Sequence, residues 1–294
     1  MRFKGIYKDK SVFVKILILF LLMTFSVVAH QLLAVIFIKL FTQDGMQLIQ
    51  NNDLSSEVTV NYLKIVQLFS GIGLFITPTF LFGYLTNFNF RFYKINRQAA
   101  LLVIAIMMLI TPFIGILLEW NMGIDLPEWM LKFDINSDKI VEAFLRMNNI
   151  WTLIFTIVVV AVVPAIGEEL FFRGYVQQEI LRWSGNIHFT ILITAFFFSA
   201  IHFHFSGMVP RFILGILLGY IFYWSGSLWL PILAHFVNNA QTIILSYLSL
   251  NFHKQIPKPI SEVNIDQNLA LISFVSVTLL LYLLFKNTDI RSEN

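Results

Sequence analysis

Residues 150–181 read IWTLIFTIVVVAVVPAIGEELFFRGYVQQEIL, and this stretch decides the class of fold. Its apolar run is longer than the roughly 20 residues that an α-helix needs to cross a bilayer. Because hydrocarbon offers the backbone no hydrogen-bond partner, a single spanning segment must pair its own N–H and C=O groups, as only a helix does. The stretch therefore predicts a transmembrane helix with two adjacent glutamates inside it.

Other stretches of helical length lie on both sides of it. Hydrophobic residues make up 57% and charged residues 13% of the 294, a composition in which lipid rather than water is the main solvent. We predict an all-α fold, a polytopic membrane helix bundle with about eight transmembrane helices, which forms one membrane domain over 1–294. The predicted helices are 13–41, 61–86, 99–118, 150–181, 187–206, 210–224, 228–248 and 268–286.

Charge predicts how this bundle is oriented. Lysine and arginine dominate residues 1–15 and 87–98, whereas acidic residues dominate 43–60 and 119–149. Because cytoplasmic loops are enriched in basic residues, the first two regions are predicted to be cytoplasmic. An even number of helices then returns the C-terminus to the cytoplasm, so we predict a multi-pass protein with both termini cytoplasmic.

Composition also excludes some classes of function. The chain has no cysteine, which removes disulfides, thiolate nucleophiles and cysteine metal ligands. A formal charge of +3 without a basic stripe argues against nucleic acid as a partner. Residues 126–147 have apolar side chains at helical spacing, which fits an interfacial amphipathic helix and a polar loop equally well.

Ionisable and amide side chains fall in three apolar segments, and such groups inside a span suggest function. The segments are PAIGEELFFRGY with Glu168, Glu169 and Arg173, FFFSAIHFH with Phe198 and His202, and LPILAHFVNNA with His235 and Asn239. Residues four apart share a helix face, so Phe198 is predicted beneath His202 and His235 beneath Asn239. At 1.5 Å per residue, the three segments place these groups at similar depths, about 14 to 20 Å from one interface.

A carboxylate, two imidazoles and a carboxamide at one depth suggest hydrolysis by an activated water. Glu168 is the candidate base, and His202 could hold the same water. His235 and Asn239 could donate hydrogen bonds to the oxyanion of a tetrahedral intermediate. Glu169 and Arg173 have the spacing of a helix ion pair. The pair could be purely structural, or Arg173 could orient Glu168 or pair with a substrate carboxylate.

Several other residues have simpler structural interpretations. We predict that His30, His188 and His204 are hydrogen-bonded packing residues. Pro164 and Pro231 are predicted to kink their helices. A further pair, Gly215 and Gly219, has the spacing that lets two helices pack closely.

The three motifs, Glu168-Glu169-x-x-x-Arg173, Phe198-x-x-x-His202 and His235-x-x-x-Asn239, resemble those of the CAAX-processing and bacteriocin-immunity family of intramembrane glutamic endopeptidases (CPBP, type II CAAX prenyl endopeptidases). Every motif position matches in order, within a motif-bearing catalytic core at 150–250. The resemblance implies that Glu168 activates water with His202, that His235 and Asn239 form the oxyanion hole, and that Glu169, Arg173 and Phe198 support them.

The same resemblance implies a metal-independent peptidase without a cofactor, in the plasma membrane of a prokaryote. Its partners would be the lipid bilayer and a membrane-associated protein or peptide substrate. Three alternatives stay open. One is a zinc-dependent membrane metalloprotease with Glu168, His202 and His235 as ligands. The others are a non-catalytic bacteriocin-immunity or scaffold protein and a transporter with a proton relay.

Overall fold

The computed structural model describes residues 3–41, 45–50, 53–252 and 266–289, and within these ranges it contains helices and no strand. The all-α prediction is confirmed. The helices are α1 Val12–Phe41, α2 Gly45–Gln50, α3 Glu57–Thr86, α4 Arg97–Leu109, α5 Thr111–Met122, α6 Glu128–Leu145, α7 Ile150–Ser184, α8 Ile187–Ala200, α9 Met208–Ser225, α10 Trp229–Phe252 and α11 Gln267–Asp289.

Five of the described helices are long and apolar enough to cross a membrane, namely α1, α3, α7, α9 with its preceding turn, and α11. The bent pair α4 and α5 raises the number to six when it is taken as one span. The predicted count of eight spans is therefore only approximate. The chain is nevertheless a multi-pass membrane protein by the length and composition of these helices.

The predicted helix 99–118 is in fact two helices that meet at an angle of 43°. The break falls at Ile110, and Pro112 lies in the first turn of α5. Proline has no backbone N–H, so it cannot continue the hydrogen-bond ladder of the preceding helix. Pro112 gives the physical reason for the bend.

The two prolines that were predicted to kink their helices lie in different settings. Pro231 does not kink α10, because it lies in the first turn of that helix, where backbone N–H groups have no partner to lose. Pro164 follows a π-helical turn at Val158–Val162, and α7 continues through it to Ser184. A π-helical turn is a common feature of helices at functional sites.

Close helix contacts surround the motif-bearing helix α7. A Cβ atom on Gly167, the residue before Glu168, would lie 2.9 Å from the Cβ of Phe75 on α3. Likewise a Cβ on Gly71 of α3 would lie 2.8 Å from Val163 Cγ1 on α7. Glycine therefore lets α3 and α7 approach beside the glutamates.

The packing role predicted for Gly215 and Gly219 is confirmed between α8 and α9. A Cβ on Gly215 would lie 3.0 Å from the Cα of Ala195, and one on Gly219 would lie 2.9 Å from Ile191 Cγ2. The carbonyl oxygens of the two glycines accept hydrogen bonds from α7, at 2.9 Å from Arg173 Nη2 and 3.0 Å from Gln177 Nε2. Helices α7, α8 and α9 thus form one tightly joined unit.

Polar segments gather at the two ends of this bundle. At one end the segment before α4 contacts the start of α10, since Leu228 N–H donates to the Arg91 carbonyl at 2.9 Å and Ser227 Oγ donates to the Tyr93 carbonyl at 2.6 Å. At the other end lies α6, which confirms a helix within residues 126–147. Its apolar side chains include exposed Trp129 and Phe133. Which end faces the cytoplasm stays a prediction.

We expect Gly215→Ala to lower the apparent melting temperature of the protein in detergent, because the added methyl group must push against the backbone of Ala195. Overpacking of this kind costs about 1–3 kcal/mol. The control is Gly123→Ala, whose Cβ would meet nothing closer than 3.4 Å. Equal melting temperatures for the two variants would contradict the close packing of α8 and α9.

Candidate active site

The segment that carries His202 is not helical, which corrects the predicted helix 187–206. Helix α8 ends at Ala200, and His202 lies in a turn before the short helical segment Phe205–Gly207. Phe203 in this turn has a φ of +48°, a conformation that a bulky side chain adopts only under constraint. A continuous run of apolar residues concealed this break from the sequence pattern.

The imidazole of His202 is fixed by a hydrogen bond to its own helix. Its Nδ1 lies 2.8 Å from the carbonyl oxygen of Phe198, as the spacing of four residues predicts. A carbonyl only accepts hydrogen bonds, so Nδ1 carries the proton and donates it. In the neutral ring Nε2 therefore has a free lone pair, and this atom lies 3.7 Å from Oε2 of Glu168.

The space between Glu168 and His202 suits a water molecule better than a direct contact. The distance of 3.7 Å exceeds that of a hydrogen bond, and two acceptors face each other when His202 is neutral and Glu168 is ionised. Oε2 of Glu168 is buried and has no hydrogen-bond partner among the described residues. The side chains of Glu168 and His202 are 12% and 29% exposed, whereas those of Glu169 and Arg173 are fully buried.

Glu169 connects two of the predicted residues beneath this pair. Its Oε1 accepts a hydrogen bond from Arg173 Nη1 at 2.9 Å and another from His235 Nδ1 at 2.9 Å. The first contact follows from helical spacing, whereas the second joins α7 to α10 and had no sequence signal. Arg173 also donates through Nη2 to the Gly215 carbonyl of α9. The guanidinium group therefore has one partner on its own helix and one on a neighbouring helix.

The ring of Phe198 brings the two histidines together. Its centroid lies 5.5 Å from that of His202 and 5.7 Å from that of His235, both in edge-to-face geometry. Arg173 Cζ lies 4.4 Å from the same centroid, a cation–π contact. Phe198 therefore contacts groups from α7, from α10 and from the turn after α8.

Asn239 lies one turn after His235 and contacts the backbone of α7. Its Nδ2 donates to the Val160 carbonyl at 3.1 Å, and its Oδ1 accepts from Asn238 at 3.0 Å. In a regular helix the N–H of residue 164 would bond to the carbonyl of residue 160, but Pro164 has no N–H. Asn239 thus satisfies the carbonyl that Pro164 leaves free, and one of its amide hydrogens remains for another acceptor.

Two functional candidates were missed in the sequence, and both hold the turn after His202. Asp134 of α6 accepts hydrogen bonds from the backbone N–H of Phe205 at 2.7 Å and of Ser206 at 2.8 Å. Asn121 of α5 donates to the Phe205 carbonyl at 3.2 Å and accepts from Val209 N–H at 2.8 Å. Nothing in the local sequence distinguishes Asp134 from the other acids of the segment.

The charge of Asp134 is favoured by these contacts. Burial raises the pKa of its carboxyl group, but hydrogen bonds from Ser206 and Phe205, with the nearby His204, outweigh burial and hold the pKa below its ordinary 3.8. Its stabilising contacts are therefore fully present above that pH and are lost only as the pH falls below it.

Three other histidines of the described ranges are hydrogen-bonded, as predicted for packing residues. His30 Nδ1 lies 2.8 Å from the Ser26 carbonyl, His188 Nδ1 lies 2.6 Å from Tyr220 Oη, and His204 Nε2 lies 2.9 Å from Asp138 Oδ1. His204 belongs to the turn rather than to a span. Within the described ranges, no three His, Cys, Asp or Glu side chains are grouped as metal ligands would be.

Comparison with known proteins identifies the class of this region. Residues 149–241 match the family model for the type II CAAX prenyl endopeptidase Rce1-like domain, which confirms the resemblance predicted from the motifs. The matched residues include all three motifs. No solved structure matches the chain.

One relative among curated proteins is "Uncharacterized protein YpbD" of Bacillus subtilis (strain 168). It is 31% identical over 88 residues, which represent 29% of this chain and 42% of YpbD. The chain thus spans less than half the length of the curated relative it matches.

We expect Arg173→Met to destabilise the protein strongly, because it leaves the carboxylate of Glu169 buried without its guanidinium partner. Breaking a buried ion pair typically costs about 3–5 kcal/mol. The double variant Glu169→Gln/Arg173→Met should recover part of this loss, as measured by the apparent melting temperature in detergent.

The control for this experiment is Arg146→Met, which removes an exposed pair with Glu142 at 3.9 Å. An exposed pair contributes at most about 1 kcal/mol. A melting temperature of Arg173→Met equal to that of the control would show that the buried pair is not needed for stability.

Proposed function

We propose that the protein is an intramembrane glutamic peptidase that cleaves a peptide bond in a membrane-associated protein or peptide. The observation that carries this proposal is the pair of Glu168 Oε2 and His202 Nε2, which lie 3.7 Å apart on side chains that are 12% and 29% exposed, next to the fully buried pair of Glu169 and Arg173. We further propose that the chain forms one membrane domain, with both termini on the cytoplasmic side of a prokaryotic plasma membrane.

Glu168 and His202 would activate a water molecule between them. Both Oε2 of the carboxylate and Nε2 of the neutral imidazole can accept a hydrogen bond from the same water. Glu168 takes a proton as the water oxygen attacks the carbonyl carbon of the peptide bond, which gives a tetrahedral oxyanion. The carboxyl group then returns this proton to the amide nitrogen as the C–N bond breaks, releasing a carboxylic acid and an amine. Transfer of the remaining proton gives a carboxylate and an ammonium group.

His235 and Asn239 would stabilise the oxyanion. Because His235 donates Nδ1–H to Glu169, its Nε2 has a proton to offer only when the ring is an imidazolium, whose charge the Glu169 carboxylate offsets. Asn239 keeps one amide hydrogen beyond its bond to Val160. Preorganised donors of this kind are a major source of stabilisation in acyl-transfer transition states.

We expect Glu168→Gln and His202→Ala to reduce peptide cleavage by about 10²–10⁴-fold, the range that general acid–base groups contribute. The assay uses the purified full chain with a library of fluorescence-quenched peptides and with solubilised membrane proteins, with and without chelator. The matched control is Glu179→Gln, since Glu179 lies on the same helix, α7, but pairs with Arg182 at its end. All variants are first compared by melting temperature.

Each result of this assay has a separate meaning. Cleavage that survives chelation but disappears in the Glu168 and His202 variants would support the proposal. Loss with chelator would favour the zinc-dependent alternative. Full cleavage by a folded Glu168→Gln variant would overturn the role of Glu168 as the base. No cleavage by the folded wild type, together with full biological function of Glu168→Gln, would favour the non-catalytic binding protein.

A second experiment separates the two roles of Asn239. Asn239→Ala should lower both stability and activity, because the Val160 carbonyl loses its partner. In Pro164→Ala/Asn239→Ala, residue 164 regains an N–H that can bond to Val160, so we expect the melting temperature to recover. Activity that stays at least about tenfold low in this stable double variant would support the oxyanion role. Recovery of activity together with stability would show that Asn239 acts only on the backbone.

A further inference from the structure

The turn that carries His202 is bonded upstream to the end of α8 and downstream to a residue far away in the sequence. The backbone N–H of His202 donates to the Ser199 carbonyl over 3.4 Å, a long hydrogen bond. After it comes Phe203 at a φ of +48°, in the left-handed region that bulky side chains rarely adopt. A conformation of this kind persists only where the surrounding structure holds it.

The downstream attachment comes from Asp134, a residue far away in the sequence. Its side chain lies on α6 and is almost fully buried, with 3% of its surface exposed. One carboxylate oxygen accepts the Phe205 N–H at 2.7 Å, and the other accepts both the Ser206 N–H at 2.8 Å and the Ser206 hydroxyl at 2.5 Å. Three donors therefore converge on one carboxylate within four residues of His202.

The turn needs such partners because α8 is short. With 14 residues it is about 21 Å long, less than the roughly 30 Å of the hydrocarbon core. The helix ends at Ala200, and the turn that follows has backbone groups outside the helical hydrogen-bond ladder. Non-helical backbone within a bilayer is tolerated only where the protein itself satisfies it.

We propose that Asp134 is a positioning residue, which holds the strained turn so that His202 faces Glu168 across a space for one water. The effect on catalysis rests on the proposed function, whereas the effect on the distance between His202 and Glu168 does not. If the carboxylate is lost, Phe203 can relax to a negative φ. Because Phe203 follows His202 directly, that relaxation rotates the His202 backbone and moves its imidazole away from Glu168.

Asp134→Asn is a sharp test because it keeps the size of the side chain and removes its charge. The amide oxygen can still accept the Phe205 N–H, but the amide nitrogen cannot accept from Ser206. The matched control is Asp138→Asn, one turn further along α6. Asp138 is an exposed carboxylate that lies 2.9 Å from His204 Nε2, and among the described residues it has no hydrogen bond to the backbone of the turn.

The geometry can be measured without enzyme activity, because the chain has no cysteine and every introduced thiol is unique. We would introduce Glu168→Cys and His202→Cys together and measure cross-linking by a short bifunctional thiol reagent in native membranes. Adding Asp134→Asn should lower the yield of the cross-link at least fivefold, whereas adding Asp138→Asn should leave it within twofold. An unchanged yield with Asp134→Asn would overturn the proposal.

Activity gives the second readout. In the otherwise wild-type chain, Asp134→Asn should lower kcat at least tenfold with KM within twofold, since the substrate contacts are not altered. Phe203→Asn should restore part of this loss, because asparagine tolerates a positive φ far better than phenylalanine. The melting temperature of each variant is measured alongside, so that a loss of fold is recognised.

The outcomes separate the two proposals. A loss of kcat no larger than that of Asp138→Asn would overturn the positioning role, even if the enzyme is a peptidase. Absence of peptidase activity in the wild type would count against the proposed function, and the cross-linking would still decide whether Asp134 sets the distance between residues 168 and 202. If Asp134→Asn does not fold, Phe203→Asn alone decides, because a strained turn predicts that it raises the melting temperature.

Discussion

Backbone N–H and C=O groups that leave a helix inside a bilayer must find partners within the protein, and the candidate site lies where two helices meet this requirement. Pro164 interrupts the ladder of α7, and Asn239 donates to the carbonyl that it frees. The turn after α8 interrupts the next helix, and Asp134 and Asn121 satisfy its exposed groups. Asp134 and Asn121 thereby hold the turn that carries His202, and Asn239 contacts the helix that carries Glu168.

Buried charge imposes a second requirement on the same region. Glu169 and Arg173 are both fully buried, so the desolvation of each must be offset by its partners. Arg173 finds Glu169, the carbonyl of Gly215 and the face of Phe198. Glu169 finds Arg173 and His235. Gly215 of α9 serves both neighbouring helices. Its carbonyl accepts from Arg173 of α7, and its lack of a side chain leaves room for close packing against Ala195 of α8.

The site has a fully buried layer of Glu169 and Arg173 and a partly exposed layer of Glu168 and His202. The buried layer of Glu169 and Arg173 orients the ring of His235 and contacts Phe198, which in turn contacts both imidazoles. The side chains of Glu168 and His202 retain some exposure, which the proposed hydrolysis needs because water must enter the site. The match of residues 149–241 to a membrane endopeptidase family covers both layers, but Asp134 and Asn121 lie outside that match. The turn that holds His202 is therefore supported by a part of the chain that family comparison does not reach.

The sequence by itself determined the class of the protein, since apolar runs of helical length and the hydrogen-bonding demands of lipid leave an all-helical bundle as the only option. It also determined contacts within one helix, such as Glu169 with Arg173 and His202 with the Phe198 carbonyl, because a spacing of four residues fixes them.

Only the tertiary structure decided the bond of His235 to Glu169, the use of Asn239 on α7 and the attachment of the His202 turn to Asp134. Each of these contacts joins residues more than 60 positions apart, which no local period records. The end of α8 at Ala200 belongs with them, because the apolar pattern continues past it and only partners from α5 and α6 make the break stable.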